Sequence, residues 1–95
     1  MSGPVLINPF EVPPSQEQFI SGWETAAEYM RKQPGFISTK LHRAIVPDAR
    51  FGFVNVAEWE SPAHFKAAIE AEEFRRLAGE GPPNFPALYE IVRTL

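Results

Sequence analysis

An amide and an indole four residues apart, Asn55 and Trp59, are side chains whose types and spacing could do chemistry. They lie in the segment FGFVNVAEW, whose alternation and aromatic content predict a β-strand. Strand side chains alternate between two faces, so Asn55 and Trp59 share a face with Phe51, Phe53 and Ala57. An amide N–H on an apolar face can stabilise an enolate or phenolate oxygen. The amide could equally be a structural hydrogen bonder, and the sequence leaves both interpretations open.

His42 is the candidate base, because an unperturbed imidazole titrates near neutral pH. If a hairpin loop follows Val46 and ends before Phe51, these two residues pair, and His42 pairs with Asn55. Paired residues share a face, so this register predicts the imidazole beside the amide. A shift of one residue would turn His42 to the other face, as a solvated or structural residue.

Asn8, in the first predicted strand, could bring a second amide to the same face. It could instead satisfy backbone groups that Pro9 leaves unpaired. Apolar walls around the amides would come from aromatic side chains of the third strand and the second helix. The candidates for ligand contact are Asn8, Phe53, Phe65 and Phe74.

Six elements must position these groups. The apolar patterns predict strands over residues 5–12, 36–45, 51–59 and 87–95. Helices are predicted to begin at the caps Ser15 and Ser61 and to end near residues 32 and 77. The order β-α-β-β-α-β predicts an α+β, ferredoxin-like fold, a four-stranded antiparallel sheet with two helices on one face. The whole chain, residues 1–95, is expected to form a single domain.

Composition excludes several classes of function. The net charge is −3 without a cluster of Lys and Arg, which argues against a nucleic-acid surface. The sequence has no cysteine, so thiolate metal sites and cysteine nucleophiles are excluded, and no His, Asp or Glu residues have metal-ligand spacing. No apolar run is long enough for a membrane span and no signal peptide is recognisable, so a cytoplasmic location is expected.

The uncovered sheet face predicts a homodimer. Val54 and Val56 alternate with Asn55, so they fall on the face that the helices leave open. Apolar residues on both faces are atypical of a half-solvated antiparallel sheet. Aromatic residues make up 13% of the chain, which also favours burial in a dimer interface or around an apolar ligand.

The sequence resembles the antibiotic biosynthesis monooxygenase family, a branch of the dimeric α/β-barrel proteins. The resemblance rests on QPGFISTKLHR after the first helix and NVAEWESPAHF before the second, and extends from Val5 to about Arg93. Polyketide anthrone-type oxygenases of this family have an Asn four residues before a Trp, as at Asn55 and Trp59. Six residues after that Trp they have a pocket Tyr, where this chain has Phe65.

The haem-degrading branch of the family has an Asn in the first strand, which Asn8 could match. It also has a Trp and a haem-ligating His on the second helix. Those positions fall near Ala68 and Ala78, so the haem ligand is absent, and His64 is too early in the helix to replace it. Haem degradation is therefore not expected.

The resemblance implies a cofactor-independent monooxygenase that acts on an aromatic or polyketide-type intermediate in secondary metabolism. The resemblance implies Asn55 and Trp59 as catalytic residues, and the predicted register adds His42 as the candidate base. Two alternatives stay open: a non-oxidative cyclase or isomerase of the same fold, and a non-catalytic ligand-binding or accessory dimer. A cavity of a few hundred Å³ beside Asn55 would favour an enzyme. If Trp23, Met30 or Phe74 fills that space, the non-catalytic alternative gains.

Overall fold

Four strands form one antiparallel sheet in the computed structural model, which describes residues 3–79 and 81–95. The elements are β1 (Val5–Glu11), α1 (Gln16–Met30), β2 (Phe36–Arg43), β3 (Phe51–Trp59), α2 (Pro62–Glu70), α3 (Glu72–Ala78) and β4 (Ala87–Tyr89). The strand order is β2-β3-β1-β4, and every neighbouring pair is antiparallel. This arrangement confirms the predicted ferredoxin-like fold.

Polar caps start the two longer helices where the sequence predicts. The Ser15 hydroxyl accepts a hydrogen bond from the Gln18 backbone N–H at 3.2 Å, and Ser61 accepts one from the His64 N–H at 3.2 Å. Gly35 follows α1 with φ of 84°, a conformation that favours glycine. A Cβ at Gly35 would also clash with the His64 side chain. Both the positive φ and this close approach therefore favour glycine.

The predicted second helix is divided in two, which the sequence analysis did not anticipate. Ala71 is extended, with φ of −65° and ψ of 139°, and separates α2 from α3. Alanine has a high helix propensity, so the break does not come from local sequence. The break accompanies tertiary packing: α3 lies against α1, and the Phe74 ring lies 6.1 Å from the Tyr29 ring.

Three strands are shorter than predicted, β1 by one residue and β2 and β4 by more. β2 ends at Arg43 instead of residue 45, and β4 ends at Tyr89 instead of residue 95. β4 pairs only with β1, and the last pair joins Tyr89 to Val5. Pro4, the residue before Val5, directs its backbone groups toward β3, where its carbonyl oxygen accepts a hydrogen bond from the Trp59 N–H at 3.2 Å. The apolar side chains after β4 are exposed, as at Ile91, Val92 and Leu95.

The core lies between the sheet and the helices. Leu6, Ala57, Trp59 and Ala68 form its buried centre, and Met30, Phe36, Phe65 and Leu88 pack around them. Asn8 and Asn55 are paired between β1 and β3, so both amides lie on this helix-covered face. Within the two described ranges, no helix combines the length and apolar character needed to cross a membrane.

Candidate functional site

A cavity of about 1010 Å³ lies between the helix-covered sheet face and the helices. Its size is at the upper end of the usual range for small-molecule sites, roughly 300–1,000 Å³. Trp23, Met30 and Phe74 line this space and do not fill it. Further aromatic wall comes from Phe10, Phe19, Phe36 and Phe65. The hollow beside the two amides is therefore open in this chain.

Two loop segments form part of the cavity wall. The segment after β1 contributes Pro13 and Pro14, and the segment before β4 contributes Gly79, Gly81 and Pro82 to Asn84. Several of these residues are exposed. The glycines and prolines of the second segment predicted a loop. No feature of that segment predicted that it would line the cavity.

Two amides meet on the cavity wall. Asn8 and Asn55 face each other as partners in the β1–β3 ladder, which places their Cα atoms about 5 Å apart. The Asn55 Oδ1 accepts a hydrogen bond from the Thr39 hydroxyl, with an O···O distance of 2.6 Å. Thr39 also lines the cavity. Sequence analysis missed Thr39, because the predicted register placed His42 opposite Asn55. The observed register places Leu41 there, and Thr39, two residues earlier on β2, shares the face of Leu41.

Two buried polar atoms of the site have no partner among the described residues. They are Oδ1 of Asn8 and Nε1 of Trp59. Leaving such a group unpaired costs about 1–3 kcal/mol. Buried polar groups are nearly always paired in folded proteins, and exceptions often mark functional positions. Both atoms belong to residues that line the cavity, so the unpaired groups concentrate at this one place.

The amide pair and the indole lie at separate points along the same cavity wall. Asn55 and Trp59 are separated along β3 by roughly 13 Å, since each strand residue rises about 3.3 Å. Ala57 lies between them and leaves the wall open. The Trp59 ring is held edge-on by Phe36 and Phe65, at centroid distances of 5.5 and 5.6 Å. A ligand that reaches both positions must therefore be extended.

The predicted place of His42 beside Asn55 is wrong. In the β2–β3 ladder Asn55 pairs with Leu41, and His42 pairs with Val54. The ladder continues with a hydrogen bond from Ala44 N–H to the Gly52 carbonyl at 2.9 Å, one residue out of the predicted register. A one-residue shift reverses the face. His42 is accordingly exposed on the open sheet face, with Nδ1 3.2 Å from the Val54 carbonyl oxygen.

The predicted aromatic contacts divide into two groups. Phe65 and Phe74 line the cavity, as expected. Phe53 does not line the cavity, and its ring is stacked on the Phe19 ring at 4.6 Å. Phe51 contacts Phe85 at 5.9 Å and also lies outside the cavity. Phe19 thus takes the wall position expected for Phe53, and its place on α1 could not be read from β3.

The described part of the cavity wall has no ionisable side chain. Its polar members are Asn, Gln, Ser, Thr and Trp residues, without Asp, Glu, His, Lys, Arg or Tyr. Glu80 lies between two lining glycines in the sequence but outside the described residues. Nor does the described chain bring together three His, Asp or Glu residues that could hold a metal ion. The wall therefore offers neutral hydrogen bonds and apolar surface.

Comparison with known proteins gives a consistent result. The family model for antibiotic biosynthesis monooxygenases matches residues 5–79. The crystal structure of a proposed monooxygenase from Shewanella loihica PV-4 is 46% identical, covers 99% of both chains and has a TM-score of 0.82. Comparison with curated protein sequences finds no match.

More distant structures share the fold. SnoaB from Streptomyces nogalater, a cofactor-independent oxygenase, is 24% identical and covers 97% of this chain and 95% of its own, with a TM-score of 0.83. MhuD, in a form with two manganese protoporphyrin IX molecules per active site, is 23% identical, covers 97% of both chains and has a TM-score of 0.75. The family model spans most of the sequence and the Shewanella relative nearly all of it, so the chain belongs to the antibiotic biosynthesis monooxygenase family.

Proposed function

We propose that this protein is a cofactor-independent monooxygenase that acts on an extended, largely apolar aromatic or polyketide-type molecule. The observation that carries the proposal is the cavity of about 1010 Å³, with the Asn8–Asn55 amide pair on its wall. Family membership supports oxygen chemistry, and the match of Asn55 and Trp59 to the anthrone-oxygenase spacing supports the substrate class. A role in secondary metabolism and a cytoplasmic location stay predictions.

The chemistry needs only a substrate that reduces O₂ once it is ionised. An anthrone has a CH₂ group beside its aromatic rings and forms an enol, which loses its proton to water. The resulting anion passes one electron to O₂, and the two radicals combine into a carbon-bound peroxide that takes up a proton. Loss of water then breaks the O–O bond and the remaining C–H bond. The sum is anthrone plus O₂ to anthraquinone plus water.

The protein contributes binding and charge stabilisation. The Asn55 Nδ2 hydrogens are not used by Thr39, whose hydroxyl bonds to Oδ1, so they are available to an enolate oxygen. Donors of this kind lower the barrier because charge develops opposite them. The aromatic wall holds flat rings. We include Asn55 as the catalytic donor and Asn8, Trp59, Phe65 and Phe74 as binding residues, and we leave out His42 and Phe53.

The test is oxygen uptake with anthrone under air, using metal-free protein. We expect turnover above the uncatalysed rate, and a fall of about 10²–10³-fold in kcat for Asn55→Ala, the range for loss of one oxyanion donor. His42→Ala is the matched control, since it removes a polar side chain from the opposite face and should leave kcat unchanged. No uptake above background across anthrones of several ring sizes would refute the oxygenase proposal.

Binding without catalysis is the second candidate. It is favoured by the lack of an ionisable group on the described wall, and by Phe65 where the related oxygenases have Tyr. The two candidates separate in one experiment. If 1,8-dihydroxyanthraquinone binds tightly while no anthrone is consumed, the protein is a binding or accessory protein.

A homodimer through the open sheet face is part of this proposal. Ile7, Val54 and Val56 lie on the face opposite the amides and are only partly covered within one chain. A symmetric partner would cover such a face. Light scattering should give twice the mass of the 95-residue chain.

A further inference from the structure

The Thr39 hydroxyl donates a hydrogen bond to one end of the Asn55 amide. Its oxygen lies 2.6 Å from Asn55 Oδ1, a short hydrogen bond between neighbouring strands. Thr39 pairs with Ala57, and Asn55 pairs with Leu41, so the two bonded side chains are diagonal neighbours on one face. Both are partly buried, which shields the bond from water.

The amide has two chemically opposite ends. Oδ1 only accepts hydrogen bonds and Nδ2 only donates, and rotation of about 180° around the last torsion exchanges them. Among the described residues, the bond to Thr39 is the only side-chain hydrogen bond of Asn55. In the flipped orientation the Thr39 hydroxyl would have to accept from Nδ2 instead of donating to Oδ1. The amide would then present Oδ1 to a ligand, and a carbonyl oxygen would repel an enolate.

We infer that Thr39 is a positioning residue that holds the Asn55 amide with its Nδ2 hydrogens toward the ligand. The inference rests on the proposed function in naming Asn55 as the oxyanion donor. Thr39 lines the cavity, but its effect on the reaction is exerted through Asn55. Its effect should therefore appear in the step where the oxyanion forms.

Kinetics of anthrone oxidation test this role. Thr39→Val keeps the shape and removes the hydroxyl, and Thr39→Ser keeps the hydroxyl. An orienting bond of ordinary strength changes the share of the productive orientation by severalfold. We expect Thr39→Val to lower kcat about three- to tenfold with KM within twofold, and Thr39→Ser to stay within twofold of the parent. Thr25→Val, the same change at an exposed helix position, is the control.

A double mutant separates positioning from a general structural role. If Thr39 acts through Asn55, adding Thr39→Val to Asn55→Ala should cause no further loss. An equal further loss in that background, or unchanged kcat in Thr39→Val alone, would overturn the inference.

One measurement does not depend on turnover. The side-chain amide resonances of Asn55, identified by their loss in Asn55→Ala, should move in Thr39→Val and stay in place in Thr39→Ser. If they are unmoved in Thr39→Val, the orienting bond is absent and the inference fails. If they move while the parent protein consumes no anthrone, the positioning role stands and only the oxygenase proposal fails.

Discussion

Replacement of Trp59 by Phe should cost little stability, although Trp59 is only 1% exposed. The change removes two carbon atoms of the indole from the core, which costs roughly 1.5 kcal/mol at about 0.8 kcal/mol per buried carbon. It also removes Nε1, which is buried without a partner. Removing an unpaired buried polar group should raise the free energy of unfolding by about 1–3 kcal/mol. The net change in the free energy of unfolding should lie within about 1.5 kcal/mol of zero, on either side.

Phe53 provides the comparison. It is 2% exposed, carries no polar atom and does not line the cavity. Phe53→Leu has no buried polar group to relieve, so it should destabilise by about 1–1.5 kcal/mol, the usual cost of a hydrophobic exchange in a core. Trp59→Phe should therefore be no more destabilising than Phe53→Leu, despite the larger side chain.

Urea unfolding measures both variants against the parent protein, with the slope of the transition checked for constancy. A change of 1 kcal/mol corresponds to a melting shift of roughly 4–8 °C in a domain of this size. A loss of more than about 2 kcal/mol in Trp59→Phe would refute the reasoning, because Nε1 would then have to be satisfied in the folded protein.

Three further predictions concern the site and the surface. Ala57→Leu should lower the affinity for 1,8-dihydroxyanthraquinone at least tenfold in calorimetry, because the added methyl groups enter the space between the amide and the indole; unchanged affinity would place the ligand elsewhere. Anthrone turnover should rise with pH through the pKa of the substrate's own acidic group, and the profile should shift in parallel when a substrate of different pKa is used. A profile that stays fixed between substrates, or a pH dependence that disappears in Glu80→Gln, would reveal a base on the protein. Val56→Lys should convert the proposed dimer to a monomer in light scattering, whereas Val46→Lys in the hairpin loop should not; a dimeric Val56→Lys protein would exclude the open face as the interface.

Local sequence was sufficient for the order and type of the six predicted elements, but not for the break at Ala71 that separates α2 from α3. The caps Ser15 and Ser61, the alternation in β3 and the Gly35 stop each act over a few residues, so their consequences can be read without knowing what packs nearby. The ends of β2 and β4 could not be read in this way. They depend on how far each strand stays paired with its neighbour; β4, for example, ends where its pairing with β1 ends, at Val5.

The site was predictable only in part, for a related reason. Asn55 and Trp59 lie on one strand, and the two-residue period alone puts them on one face. Asn8 could be proposed for that face, but its pairing with Asn55 is a property of the β1–β3 register. His42 was misplaced and Thr39 missed because both depend on the β2–β3 register, where one residue exchanges the faces.

The sequence by itself determined the order of the four strands and the two capped helices, the β3 face that carries the amide and the indole, and the lack of cysteine chemistry. These follow from composition and from periodicities within single segments. Only the tertiary structure decided that a cavity exists, that Phe19 and not Phe53 forms its wall, and that Thr39 holds the amide. Such features arise from contacts between residues distant along the chain, and their relative positions depend on strand register and helix packing, which no local pattern encodes.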